Sequence, residues 1–365
     1  MRVGFLINDL SSGGSERATC GICKYLANNG IDTTIVTVND CVPFYDVDEN
    51  VKLVSLSCNN IEKKAGFKRF FSSISKSFYI RKRIREMNFD IVIAMSVVLG
   101  NYALFSTVFT RTKCICTERN DPYLTYNSFI HKTLKKITAK HSDGYIFQTA
   151  EQENYYPIPL CGKKAVIPNA VFNKYAYTAD VPSEREKTVT ALGRLVKQKR
   201  YDDMVRAFVI FHEKYPEYTL QIFGEGDEKE NLQNLIDSFN ASDYIIINEP
   251  RNDAILFAAR SSAYILCSEY EGLPNALLES LYCGVPCISS IYSPAVKELI
   301  TDGQNGLLFE VGDIESISRC LERIISNKAF SDNLSSNAIL STRKYDIENI
   351  GEEWIRYFKD VIMSY

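Results

Sequence analysis

The chain reads as an α/β protein built on two parallel sheets. Three observations predict this. Short apolar runs alternate with helical patterns from one end to the other, which implies parallel strands with helices on both faces. The 365 residues, 45% of them hydrophobic, suffice for two ordinary domains with cores of their own. Loops carrying glycine or charge recur after the predicted strands, and open α/β sheets hold their ligands outside those strand ends.

The elements follow in order. In the first half, residues 2–8, 33–38, 91–94, 114–117 and 145–148 are short apolar runs and predict strands. Residues 16–27, 73–87 and 129–140 carry helical spacing between them. In the second half, strands are expected at 188–192, 220–223, 244–247, 263–267 and 286–289. Helices are expected there at 202–214, 228–239, 253–259, 276–282 and 314–326. The polar stretch 173–187, with Pro182 and several charges, is the best linker. The predicted division is residues 1–175, residues 186–345, and a separate amphipathic helix within 346–365 that carries the single tryptophan, Trp354. No fixed-period repeat and no low-complexity tract occurs.

Composition excludes several functions. The net charge of −3 gives no global electrostatic case for nucleic acid. No apolar run is long enough to span a bilayer. The N-terminus turns polar too soon for a signal peptide, and it reads as a first buried strand. The eleven cysteines follow no small-domain framework, so reduced thiols in the cytoplasm are expected. Cys20 and Cys23, three apart on one helix face, read as small buried residues, not metal ligands. Asp46 and Asp48 resemble a metal-holding pair, but they lie in a polar stretch that reads as a solvated turn. No metal site is expected.

Glu271 and Glu279 sit eight residues apart in a run from Ser268 to Pro286 and form the most informative feature. Pro274 suits a helix start, so Glu271 falls in a strand-to-helix turn and Glu279 about two turns along the helix. A helix start with Gly272, Leu273, Pro274 and Asn275 beside it stabilises an anion. Two carboxylates flanking an anion site suit a ligand with phosphates and hydroxyls, such as a nucleotide sugar. On spacing alone, two solvated glutamates on a surface helix are the better reading, because such pairs are common on helices. Three further loops follow predicted strands. One carries Gly13 and Gly14; another carries Arg194, Lys197, Lys199 and Arg200, cations that can neutralise a diphosphate; the third carries Gly224 and Gly226. Taken singly, each glycine loop is also an ordinary turn. Gly224 and Gly226 begin a dinucleotide fingerprint, but Lys229 stands at its third glycine, which argues against a dehydrogenase.

In this order the motifs resemble the family 4 retaining glycosyltransferases. The residues that carry the resemblance are Gly13 to Arg17, Ile167 to Ala170, Gly193 to Lys199, Gly224 to Gly226, Glu271 to Glu279 with Gly284 to Pro286, and Asp302 to Phe309. The resemblance covers almost the whole chain and is densest in the second half. It implies the two-domain GT-B fold, with the final helix returning to an acceptor-binding first domain. The second domain would bind the nucleotide sugar, with Glu279 on the ribose hydroxyls and Glu271 on the transferred sugar. Arg194 and Lys199 would contact the diphosphate, Gly14 would approach it from the first domain, and the N–H groups after Gly272 would complete the site. Cations and helix N–H groups would then stabilise the departing diphosphate without a divalent metal.

One departure from the family concerns the strand ending at Thr117, where relatives often carry a histidine. Here Glu118, Arg119 and Asn120 follow, a version that resembles a subgroup building bacterial surface polysaccharide or lipid-linked glycan. Arg119 fits an acceptor diphosphate and fits a structural salt bridge equally well. From Lys63 to Arg85 the chain holds nine basic residues, no acid and interleaved aromatics. Such a segment can lie on an anionic membrane surface, or its apolar face can pack on the sheet. The expected enzyme transfers a hexose or N-acetylhexosamine from a UDP-sugar to a lipid-linked glycan, with no cofactor, at the inner face of the cell membrane. A non-catalytic scaffold of the same fold and a GT-B epimerase are the alternatives.

Overall fold

A computed structural model describes residues 1–60, 67–124, 128–156, 162–172 and 184–363; for residues 60 and 67–73 it describes the backbone alone. Contacts divide the chain into two units, Met1–Ala170 with Ile347–Tyr365, and Val171–Asp346.

The first unit holds β1 (Arg2–Ile7), α1 (Gly14–Asn28), β2 (Asp32–Thr37), β3 (Lys52–Ser55), α2 (Phe67–Glu86), β4 (Ile91–Ala94), α3 (Val97–Thr107), β5 (Lys113–Thr117), α4 (Phe129–His141), β6 (Gly144–Phe147), α5 (Ala150–Tyr155), β7 (Lys163–Val166) and the final helix α13 (Ile347–Ile362). Among the described residues its seven strands run in the order β3-β2-β1-β4-β5-β6-β7, and every pairing is parallel. β4 and β6 bury all their residues, as strands covered on both faces must. The final helix buries Ile347, Ile350, Gly351, Trp354, Tyr357, Phe358 and Val361, a stripe at three- and four-residue spacing. It packs on α1 and β7. Gly351 permits this, because a Cβ there would run into the ring of Tyr25 on α1.

The second unit holds β8 (Glu186–Leu192), α6 (Tyr201–Lys214), β9 (Thr219–Phe223), α7 (Lys229–Ser238), β10 (Ile245–Asn248), α8 (Ala254–Arg260), β11 (Ser261–Leu266), α9 (Asn275–Tyr282), β12 (Cys287–Ser290), α10 (Val296–Leu299), β13 (Leu307–Phe309), α11 (Ile314–Ser326) and α12 (Lys328–Thr342). Its sheet order is β10-β9-β8-β11-β12-β13, again all parallel. Val171 belongs here. It is fully buried in this unit's core, and its N–H donates to the Tyr345 carbonyl at 2.8 Å.

Several elements go beyond the sequence pattern. α3 packs between α2 and α4 and is apolar on more than one side, so no single stripe marks it. β3 and β7 are edge strands with mostly exposed or half-buried residues, and β13 has three residues. α12 is polar for much of its length and packs on α9 and α11. α2 starts at Phe67, six residues before the expected start at Ser73. Within the expected linker, residues 173–183 lie outside the described residues, while Glu186 and Lys187 already belong to β8.

Candidate functional site

In the second sheet, β8 and β11 are neighbours from which the chain winds in opposite directions. This switch point is where open α/β sheets leave a crevice. The loop after β8 carries Arg194 and Lys199; the loop after β11 carries Ser268 and Glu271. The two loops are tied together. The Glu269 N–H donates to the Gln198 carbonyl at 2.8 Å, and the Gln198 side chain donates to the Tyr270 carbonyl at 2.6 Å. Lys199 Nζ then reaches Glu271 Oε1 at 2.5 Å, and Ser268 Oγ donates to the same oxygen at 2.6 Å. The side chains of Lys199 and Glu271 are only 16% and 11% exposed, so little water screens the pair.

Arg194 differs. It is exposed, and among the described residues its side chain has no ion pair or hydrogen bond. Gly193, at φ +149°, leaves the space beside the Lys199 stem; a Cβ there would lie 3.5 Å from Lys199 Cε. Gly224 and Gly226 serve the brace between loops. A Cβ on Gly224 would meet the Gly193 carbonyl, and one on Gly226 would meet the Leu195 carbonyl. The backbones approach closely enough for Leu195 N–H to donate to the Glu225 carbonyl at 2.7 Å. The requirement for glycine at both positions is therefore met by loop packing.

Glu279 lies on α9 and is 2% exposed. α9 starts at Asn275 with Pro274 before it and no side-chain cap; Leu273 and Pro274 are buried and Gly272 is half-buried. Tyr264 on β11 lies within electrostatic reach of both glutamates. Its hydroxyl is buried with no hydrogen-bond partner among the described residues. Burial first, then Tyr201, Cys287, Glu271 and Glu279, push its pKa up, so both carboxylates lie within electrostatic reach of it. Burial and Glu271 likewise raise Tyr201 at the start of α6. Sequence reasoning passed over Tyr201, Tyr264, Ser268 and Gln198. Ser268 and Gln198 stood inside the motifs, whereas the two tyrosines read as core.

In the first unit, Gly13 precedes α1 in extended conformation and Gly14 opens the helix. The space of a Gly13 Cβ is taken by the Glu16 carboxylate. After β5, Glu118 is 1% exposed, and its oxygens serve the protein itself. Oε1 accepts the N–H groups of Arg119 and Asn120 at 3.2 and 3.3 Å, and Oε2 accepts from the Tyr156 hydroxyl at 2.6 Å. Burial raises its pKa against the opposing pull of Tyr156 and Lys135. Glu118 thus shapes its loop and offers no exposed face. The Asn120 carbonyl accepts from Gln152 at 3.1 Å. Arg119 is half-buried; Nη1 donates to Asn169 Oδ1 at 2.5 Å, and the guanidinium lies 5.9 Å from the Trp354 ring centroid. Among the described residues it forms no salt bridge, so the structural ion pair considered for it is not made.

Much of the basic segment is committed too. Lys63 and Lys64 lie outside the described residues, and so do the side chains of Lys68 and Arg69. Lys76 is buried. Arg81 donates to the Phe105 carbonyl, and Arg85 donates to those of Ser106 and Val108 at 3.0 and 2.6 Å, at the C-terminal end of α3. Arg83 pairs with Glu86 at 3.1 Å. Ile74, Phe78 and Tyr79 are exposed.

Among the described residues no three His, Cys, Asp or Glu side chains gather as metal ligands. Cys20 and Cys23 are buried on α1, and burial pushes the Cys20 thiol up to about 12. Asp48 bonds Lys24 at 3.0 Å in a turn. No helix among the described residues is long and apolar enough to cross a membrane.

Known proteins match this arrangement in both units. The model for "Glycosyltransferase Family 4" matches residues 12–171, and that for "Glycosyl transferases group 1" matches residues 178–341. Together they span most of the chain. The chain is a family 4 glycosyltransferase. It is 26% identical over 363 residues to a Campylobacter jejuni α-1,4-N-acetyl-D-galactosaminyltransferase that acts on a diphospho-undecaprenol-linked glycan, covering 99% of each chain. It is 23% identical to an amylovoran biosynthesis glycosyltransferase of Erwinia amylovora, covering 96% of this chain and 97% of that one. Its fold matches sucrose-phosphate synthase from Thermosynechococcus elongatus with a TM-score of 0.83 at 15% identity, each chain fully covered. It matches a pneumococcal O-GlcNAc transferase, solved with UDP and GlcNAc, with a TM-score of 0.81 at 14% identity, covering 100% of this chain and 99% of that one. The glycosyltransferase therefore has the GT-B fold, with two parallel-sheet units.

Proposed function

We propose that this glycosyltransferase moves a hexose or N-acetylhexosamine from a UDP-sugar to a lipid-linked glycan, with retention at the anomeric carbon. The observation that carries the reading is the brace at the β8/β11 switch point, which holds Lys199, Glu271 and Ser268 together beside exposed Arg194. The C. jejuni relative supports the acceptor class, and the E. amylovora relative supports a place in polysaccharide biosynthesis.

Breaking the sugar–phosphate bond leaves charge on the diphosphate, and cations already in place lower that barrier. Arg194 and Lys199 would supply them, with the N–H groups at the start of α9. Glu279 would hold the ribose, and Glu271 would hold a hydroxyl of the transferred sugar. The departing phosphate oxygen would take the proton of the attacking acceptor hydroxyl on the same face. This division of roles needs no divalent metal. Arg119 and Asn120, in the first unit, would meet the acceptor.

The test is a screen of nucleotide sugars for nucleotide release, with and without a diphosphate-linked glycan acceptor and with EDTA. Release that requires the acceptor and survives EDTA is expected. Release without any acceptor would favour hydrolysis or epimerisation, and loss restored by magnesium would refute the metal-free route.

We also propose that the segment from Lys63 to Arg85 rests on an anionic membrane, which suits a lipid-linked acceptor. Exposed Ile74, Phe78 and Tyr79 support this. Neutralising Lys63, Lys64, Lys68 and Arg69 should weaken binding to vesicles containing anionic lipid, most at low salt. Equal binding by the variant and the natural protein would sink it.

A further inference from the structure

Arg119 lies two residues beyond the end of β5, with partners from three other parts of the first unit. Asn169, 5% exposed and beyond β7, accepts from Nη1 at 2.5 Å. Gln148, 3% exposed and at the end of β6, fits with its amide turned to donate to the Arg119 carbonyl at 3.2 Å and to accept from Nη1 at 3.2 Å. Trp354 on α13 sets its ring beneath the guanidinium, 5.9 Å from the centroid, and is itself locked between Phe5 and Phe358. Every one of these partners is neutral.

A desolvated cation normally keeps a carboxylate. The adjacent Glu118 does not serve, since its oxygens hold backbone N–H groups and Tyr156. Burial lowers the Arg119 pKa to about 10, so the group stays charged at neutral pH. The site thus presents an oriented, partly dehydrated positive charge with no carboxylate partner among the described residues. A planar guanidinium held in this way matches a phosphoryl group.

We propose that Arg119 is a preformed phosphoryl clamp, and that Asn169 and Trp354 are positioning residues that hold its guanidinium ready. Through Trp354 the last helix of the chain takes part in substrate recognition. The inference rests on the transferase reading above and adds groups of the first unit that would recognise a phosphoryl group. The phosphoryl group could come from the acceptor's diphosphate or from the donor, and the arms of the test separate the two.

Trp354 is the chain's single tryptophan, so its fluorescence reports on this site alone. Titrating the full chain with inorganic pyrophosphate should change that emission saturably. Arg119→Gln should weaken the response about tenfold or more, and Arg119→Lys should restore only part of it. Calorimetry should show pyrophosphate binding retained in Trp354→Phe, which keeps an aromatic face, and weakened roughly three- to tenfold in Trp354→Leu. In turnover, Arg119→Gln with a raised acceptor KM and unchanged UDP affinity assigns the clamp to the acceptor. Weakened UDP affinity assigns it to the donor. Unchanged pyrophosphate binding and unchanged KM values in a folded Arg119→Gln protein would overturn the clamp. If the natural protein transfers no sugar, the transferase reading fails, while the pyrophosphate titration still decides the clamp.

Discussion

The two strand-end sites handle a positive charge in opposite ways. In the second unit, Lys199 carries its counter-ion with it, 2.5 Å away on Glu271. In the first unit, Arg119 has only neutral partners among the described residues, and the neighbouring glutamate turns to its own loop. A paired cation is aimed but neutralised, so any anion arriving at Lys199 would have to share it with Glu271. A cation without a carboxylate partner keeps its full charge for an incoming anion. The contrast follows from topology. Lys199 and Glu271 come from adjacent strands at a switch point, where two loops lean over one crevice. Arg119 comes from β5, one strand beyond the β1/β4 switch, and its partners come from β6, β7 and the last helix.

The largest expected effect breaks the paired site. Glu271→Gln keeps the shape of the side chain and removes its charge. It should lower kcat roughly ten- to a hundredfold, the usual loss for a hydrogen bond to a charged group. Affinity for free UDP should hold or tighten, because Lys199 loses its competitor. Glu279→Gln should do the reverse, raising the Kd for UDP while leaving kcat nearly intact. Calorimetry with UDP beside steady-state rates checks both. If Glu271→Gln abolished UDP binding and Glu279→Gln left it untouched, the two roles would have to be exchanged.

A smaller effect tests the packing of the loop after β9 on the loop that carries Lys199. Gly226 has φ +152°, and a Cβ there would meet backbone atoms of Leu195. Gly226→Ala should cost about 1–3 kcal/mol in conformational strain alone, plus the cost of parting the loops. Gly303 also has positive φ, +73°, but only the tip of Arg323 lies near it, at 3.9 Å. Gly303→Ala should therefore cost less. Denaturant unfolding of both variants gives the comparison, and equal losses would show that loop contact contributes nothing.

The paired site was largely legible in the sequence, and the unpaired one was not. From Ser268 to Glu279 a strand end, a helix start and two carboxylates lie within one local stretch, where spacing alone places them. The meeting of Lys199 with Glu271 spans 72 residues, but both stood in motifs of matching chemistry. Arg119 meets Asn169 across 50 residues, and Trp354 comes from the last helix. Nothing local joins these three, so spacing could not show that Arg119 makes no salt bridge among the described residues; its contact with an acceptor is a proposal. The fold divides similarly. β4, β11 and α13 announce themselves by burial on both faces or by one clean stripe. α3, packed on both flanks, and three-residue β13 carry too little periodic signal.

The smallest effect concerns Glu118, the carboxylate that Arg119 lacks. Burial is the main influence on it and raises its pKa, while Tyr156, Lys135 and the N–H groups of Asn120 and Arg119 pull the other way. A carboxyl with a raised folded pKa holds its proton in the native state after the unfolded chain has released it. The native state then binds more protons, so stability falls as pH rises from the ordinary glutamate range through the raised value. The contribution is fully present at acidic pH and lost above that window. Glu118→Gln cannot ionise and resembles the protonated form. Its melting temperature relative to the natural protein should therefore climb across the same window and level off above it. Lys135, buried at 3% exposure and within electrostatic reach of Glu118, sets the limit of the effect. If the difference instead fell with rising pH, the charged form would be the favoured one. Glu118 would then be a counter-charge for Lys135, and the loop beneath Arg119 would rest on an ion pair after all.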